Sequence, residues 1–246
     1  MLMRNLRLDV CYDGSRYKGW QRLSANDNTI QSKLETALSR ILNEPVEVIG
    51  SGRTDAGTHA KCQVVNFHCE SRMPCEEILA QLRRYLPEDI GIYSCRNVSQ
   101  RFHARLNAKT KTYVYRLWNS TAPCVFARKY VYVDLSELDL AQMQAAAAHF
   151  VGTHDFSAFC ANRNMKKSTV RHILSFDICQ IDGEIRFTVT GNGFLHHMVR
   201  IMVGTLIEVG RGEREADSIP SLYGKDRSCA GMLVPAQGLC LMEVTY

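Results

Sequence analysis

Apolar positions recur along the chain in two rhythms. Over residues 5–12, Leu6, Leu8, Val10 and Tyr12 alternate with polar neighbours, the period of a half-buried strand, and Asp13-Gly14 ends the run with a turn. Ile30, Leu34, Ala37, Leu38, Ile41 and Leu42 then share one helical stripe over 29–42. Asn28 or Thr29 serves as its N-cap and Pro45 as its stop. Strand-like runs at 46–50 and 62–69 flank the loop Gly50-Ser51-Gly52-Arg53-Thr54-Asp55-Ala56-Gly57. A second helix covers about 75–86 and stops before Pro87.

The rest of the chain repeats this grammar. Strands are predicted at 111–118 and 130–134, then an alanine-rich helix at about 137–150, then strands at 170–180, 184–191 and 239–246. Residues 194–209 read as a largely buried helix through Phe194, Met198, Ile201, Met202, Leu206 and Val209. Both halves mix strands and helices without regular βαβ alternation. That predicts an α+β fold of two sheet-and-helix lobes, 1–105 and 106–246.

Composition narrows the class without choosing a function. The chain has 246 residues, 46% hydrophobic and 22% charged, enough apolar material for a core and too much for a disordered tail. Ten cysteines form no Cys-x-x-Cys pair, which points to reduced thiols in a cytosolic protein. No apolar run approaches the length of a membrane span, and the first residues alternate too early for a signal sequence.

Thirty Lys and Arg against 25 Asp and Glu leave a formal charge of +5, which alone says little about partners. Its distribution says more. Between Asp89 and Asp134 there is no acidic residue, but there are Arg96, Arg101, Arg105, Lys109, Lys111, Arg116, Arg128 and Lys129. Between Asp155 and Asp177, Arg163, Lys166, Lys167 and Arg171 are likewise unopposed. Phe102, His103, Tyr113, Tyr115 and Trp118 lie among these charges. Cations for phosphates beside rings for bases suit a nucleic-acid surface. A solvated basic face balanced by acidic faces elsewhere fits the composition equally. A basic surface at the lobe junction is expected to line a cleft, a common setting for an active site.

Three motifs carry candidate chemistry. Gly52-x-x-x-x-Gly57 continues as Thr58-His59, so it lacks the Lys-Ser/Thr of a P-loop. What remains is Arg53 two residues before Asp55, on the same side of an extended segment. A nearby cation keeps a carboxylate ionised, as a nucleophile must be, whereas the bland alternative is an Asx-turn aspartate beside a surface arginine. On the strand 111–118, Tyr113 and Tyr115 share one face, and a ring there suits either a half-buried sheet or stacking on an unstacked base. Arg200 falls within an otherwise apolar helix and calls for a carboxylate partner, Asp55 being a candidate. His196-His197 lacks matching ligand spacing, so core or supporting histidines are expected there rather than a metal site.

Longer strings can be set beside these. Tyr12-Asp13-Gly14, Gly19-Trp20-Gln21, Gly52 through Ala60, Gln63-Val64-Val65 with Phe67, and Leu86-Pro87-Glu88-Asp89-Ile90 occur in that order. Phe102-His103-Ala104-Arg105, Lys111 through Tyr115, Phe194 through Arg200, and Pro235-Ala236-Gln237-Gly238-Leu239 follow. Together they span nearly the whole chain, and the ordered set resembles the TruA family of tRNA pseudouridine synthases. The resemblance implies two lobes, each an antiparallel sheet flanked by helices, with an active-site cleft between them. It implies an isomerase, without cofactor or catalytic metal, converting uridine to pseudouridine at positions 38, 39 and 40 of the tRNA anticodon stem-loop.

By that resemblance Asp55 is the catalytic aspartate, Arg53 helps take the target base out of the stack, and Arg200 pairs with Asp55. Tyr113 packs on the base. The segments around Phe102, His103 and Arg105 and around Arg163, Lys166 and Lys167 contact tRNA, and the protein is a homodimer in the cytoplasm. Two departures stand out: Gln81-Leu82-Arg83-Arg84-Tyr85 replaces the Ala-Leu-Asn common in relatives, and Cys240 replaces a tyrosine. The alternative from another class is a non-catalytic RNA-binding protein in which Asp55 is structural.

Overall fold

The computed structural model of the chain describes residues 3–24, 27–162 and 167–246. The chain divides into two compact units, Met1–Lys109 with Leu241–Tyr246, and Thr110–Cys240. The division expected at 105 falls at 109, and the last residues return to the first unit instead of staying with the second. There Leu241 and Val244 are buried and the Tyr246 hydroxyl donates to the Ala104 carbonyl, so apolar burial and a hydrogen bond hold the tail.

In the first unit, β1 (Arg4–Tyr12) pairs antiparallel with β3 (His59–Cys69) on one side and β4 (Ile90–Asn97) on the other. The short β2 (Val48–Gly50) and the C-terminal β10 (Leu239–Thr245) both adjoin β3. Leu6, Leu8 and Val10 of β1 are fully buried, as their alternation requires. Helix α1 (Ile30–Leu42) packs on α2 (Cys75–Tyr85) and β2, and α2 packs on β4. Thr29 caps α1 through its side chain, which accepts from the Ser32 N–H; Asn43, at φ 54°, ends it two residues before Pro45 acts. β4 escaped the sequence reading because its alternation, clear at Ile90 and Ile92, dissolves into Ser94, Arg96 and Asn97.

In the second unit, β5 (Thr110–Trp118), β9 (Glu184–Gly191), β8 (Val170–Ile181) and β7 (Gly152–Asp155) neighbour one another in that order, all antiparallel. The two-residue β6 (Tyr132–Val133) runs parallel to β5. Helix α3 (Leu140–Ala148) packs on β8 and on α4 (Met198–Gly210), which also packs on β5. In each unit the strands pair mostly antiparallel and helices pack on them, consistent with an α+β fold. The helix expected from 194 begins at Met198, because His197 takes a left-handed backbone at φ 62° that a helix cannot contain.

Candidate active site

The loop that carries Asp55 is held from both sides within the first unit. Its entry is fixed by the Ser51 N–H donating to the Val64 carbonyl at 2.8 Å. The Ser51 hydroxyl donates to Gln63 Oε1, and Gln63 Nε2 donates to the Gly52 carbonyl at 3.0 Å. Thr54, buried, is gripped twice: its hydroxyl lies 2.8 Å from that of Tyr12, and its carbonyl accepts from the Trp20 N–H at 3.0 Å. Gly19 makes the second contact possible. It sits at φ 92°, and a Cβ there would lie 2.8 Å from the Thr54 carbonyl oxygen.

Beyond Asp55 the chain folds back at once. The Thr58 N–H donates to the Asp55 carbonyl at 3.1 Å across the turn Asp55-Ala56-Gly57-Thr58, with Gly57 at φ 78° as the third position of a type II turn requires. His59, buried, anchors the exit: its Nδ1 accepts from the Gly14 N–H at 3.1 Å. Asp55 thus leaves a clamped backbone with its side chain half-buried. Such a residue can present a carboxylate at a fixed place, which nucleophilic or general-base chemistry requires. Arg53 is exposed, and among the described residues it forms neither a hydrogen bond nor an ion pair. The expected pairing of Arg53 with Asp55 is therefore absent among the described residues. The segment 52–54 is irregular loop, so the same-side rule for strands does not hold there.

In the second unit Tyr113 is buried on β5, opposite Val189, and the Phe194 ring meets it edge-on with centroids 5.2 Å apart. Tyr115, on the same face, is fully buried, and its hydroxyl donates to the Pro235 carbonyl at 2.8 Å. Burial pushes its phenol well above the usual range, so it stays neutral. Arg200, half-buried on the first turn of α4, donates through Nε to the Val234 carbonyl at 2.8 Å. The two histidines differ from expectation. His196 is exposed, and its ring lies 3.7 Å from that of His197, because the left-handed backbone at His197 turns the pair together ahead of the helix.

The segment 102–107 forms a small rigid knuckle in the first unit. His103 Nδ1 accepts from the N–H groups of Arg105 and Leu106, Asn107 Oδ1 accepts from the His103 N–H, and Asn66 Oδ1 accepts from the Ala104 N–H. Phe102 packs against Tyr246 at 5.0 Å, with the Arg7 guanidinium over both rings. Phe102 and His103 therefore build the knuckle, while Arg105 and Leu106 project from it, exposed. Lys167 is also exposed; Arg163 and Lys166 lie outside the described residues.

Part of the long basic interval is neutralised by acids distant in sequence. Arg116 makes two 2.7 Å hydrogen bonds to Glu184, and Arg96 lies 3.7 Å from Asp9. The balanced-face reading thus holds for these two cations. The clamp residues Tyr12, Gly19, Trp20 and Gln63 were legible only through the resemblance, since no rule of spacing connects them to the loop.

A profile described as tRNA pseudouridine synthase matches residues 10–107 and 146–246. Asp55 and Arg200 fall in the matched segments and Tyr113 between them. The chain is 45% identical over 245 residues to "tRNA pseudouridine synthase A 2" of Bacillus cereus and 46% identical to "tRNA pseudouridine synthase A" of Bacillus sp. strain KSM-64. It is 45% identical to "tRNA pseudouridine synthase A 1" of Clostridium tetani. Each comparison covers 99% of this chain and 100% of the relative.

Proposed function

This chain belongs to the tRNA pseudouridine synthase family, and on that premise we propose that it isomerises uridine to pseudouridine at positions 38, 39 and 40 of the tRNA anticodon stem-loop. The reaction breaks the N1–C1′ glycosidic bond, rotates the uracil and joins C5 to C1′, with the proton displaced from C5 matched by one gained at N1. Atoms balance within one nucleotide, so no co-reactant is consumed. A base inside a stem is inaccessible and must first be extruded, at a cost of about a few kcal/mol.

Asp55 is the catalytic carboxylate. The observation that carries this role is its half-buried side chain on a backbone clamped on both sides. The carboxylate either attacks C1′, as in retaining glycosidases, or removes a ribose proton to give a glycal-type intermediate. Arg53, exposed and uncommitted among the described residues, takes the space the base vacates or holds a phosphate. Tyr113, braced by Phe194, packs on the extruded uracil. Arg200 pairs with Asp55. Arg105, on its knuckle, and Lys167 meet the RNA backbone, together with Arg163 and Lys166. The protein acts in the cytoplasm as a homodimer, one tRNA touching both subunits.

The test is direct. Purified protein incubated with an unmodified tRNA transcript carrying uridines at 38, 39 and 40 yields pseudouridine at those positions, read by nucleotide-resolution mapping. Binding without conversion favours the RNA-binding alternative and overturns this reading.

A further inference from the structure

A polar cavity lies wholly within the second unit, with a volume of about 390 Å³, inside the roughly 300–1,000 Å³ span of ligand sites. One wall comes from the turn after β7 and the approach to β8, with Ser157 and Thr169; the other is the stretch Lys225–Ser228. The frame is fixed. Asp155 Oδ1 accepts from the Ser157 N–H at 3.0 Å, the Asp155 carbonyl accepts from the Gly224 N–H at 3.0 Å, and the Ser157 hydroxyl donates to the Lys225 carbonyl at 3.1 Å. Gly224, at φ 72°, turns the chain so that Lys225 and Asp226 both line the space.

Four polar groups in this frame lack a partner among the described residues, whereas the Ser157 hydroxyl and the Arg227 guanidinium, which donates to the Ala230 carbonyl at 3.0 Å, are engaged. Among the described residues the Lys225 ammonium has no acidic partner and the Asp226 carboxylate no basic one. The hydroxyls of Thr169 and Ser228 make no hydrogen bond among the described residues either. A cation, an anion and hydroxyls held a residue or two apart, without neutralising one another, suit a ligand that is both anionic and rich in hydroxyl donors. A ribose-phosphate unit is such a ligand: its phosphate needs a cation, and its 2′-hydroxyl needs an acceptor.

We propose that this cavity binds one ribose-phosphate unit of the RNA away from the reacting nucleotide, with Lys225 on the phosphate and Asp226 accepting from the 2′-hydroxyl. The inference rests on the chain acting on tRNA. It adds a point at which RNA is distinguished from DNA, because only the ribose carries the donor that Asp226 accepts.

The experiment measures tRNA binding across a salt series for the wild-type protein, Lys225→Ala and Lys225→Gln. Losing one phosphate contact lowers the magnitude of the slope of log K against log salt by about 0.7–0.9. Both variants show that drop. In parallel, tRNAs with single 2′-deoxy substitutions are bound to wild-type protein and to Asp226→Ala. One position outside the target nucleotide weakens wild-type binding when deoxy and has no effect on Asp226→Ala. Salt slopes equal to wild type in both lysine variants, or no deoxy position that Asp226→Ala erases, overturns the assignment. Wild-type conversion of the same tRNAs is measured alongside, so that a failure of the functional reading is seen separately from a failure of this site.

Discussion

The Tyr12 hydroxyl lies 2.8 Å from the Thr54 hydroxyl, and this contact fixes the residue just before Asp55. Both partners are buried, so removing one leaves the other without its bond. Tyr12→Phe strands the Thr54 hydroxyl at a cost of about 1–3 kcal/mol. Urea denaturation is expected to show that loss, and kcat to fall while tRNA affinity holds. An unchanged kcat would mean that the clamp does not position the carboxylate.

The turn after Asp55 depends on Gly57 at φ 78°. Alanine there pays the left-handed penalty, about 1–2 kcal/mol, whereas asparagine tolerates that region better. Gly57→Ala is expected to lose both stability and rate, and Gly57→Asn to recover much of each. Equal losses in the two variants would show that backbone handedness is not what the site needs.

Thr58 is 1% exposed, and its hydroxyl has no hydrogen-bond partner among the described residues. Burying an unpaired hydroxyl is unfavourable, and valine has nearly the same shape without it. Thr58→Val is therefore expected to raise stability by about 1 kcal/mol, measured by thermal or urea unfolding. Destabilisation would reveal a partner for the hydroxyl, such as bound water.

Burial opposes ionisation of Glu184, but hydrogen bonds and charge from Arg116 and then Arg186 outweigh it and hold the carboxyl below its usual range. A lowered folded pKa contributes stability above the unfolded value, about 4.3, which is lost as pH falls through the folded one. The stability gap between wild type and Glu184→Gln is thus expected at neutral pH and to close under acid. Denaturant midpoints over a pH series read this directly, and a gap independent of pH would contradict it.

What the sequence disclosed follows from how locally each element is determined. Helix α1 was legible to within a residue because its stripe lies within its own segment, although Asn43 and not Pro45 ends it, and β1 because its alternation is uninterrupted. β4 and β7 were not, since one mixes its pattern and the other has four residues that owe their pairing to β8. The start of α4 was misplaced because nothing in the residue type of His197 announces a left-handed backbone. For the candidate site, Asp55 stood out as a carboxylate between glycines. Its supports did not, because Tyr12, Gly19 and Gln63 reach the loop only through strand pairing and turns. That the Arg53 guanidinium meets no partner among the described residues was likewise invisible, being a matter of loop geometry.

In the proposed mechanism Asp55 performs the chemistry and does not merely hold the loop. The most direct measurement compares wild type and Asp55→Ala on the same unmodified tRNA, following pseudouridine formation under single turnover and tRNA affinity in parallel. Asp55→Ala is expected to form no pseudouridine while binding tRNA with an affinity close to wild type. Pseudouridine formed by Asp55→Ala at the wild-type rate would contradict it.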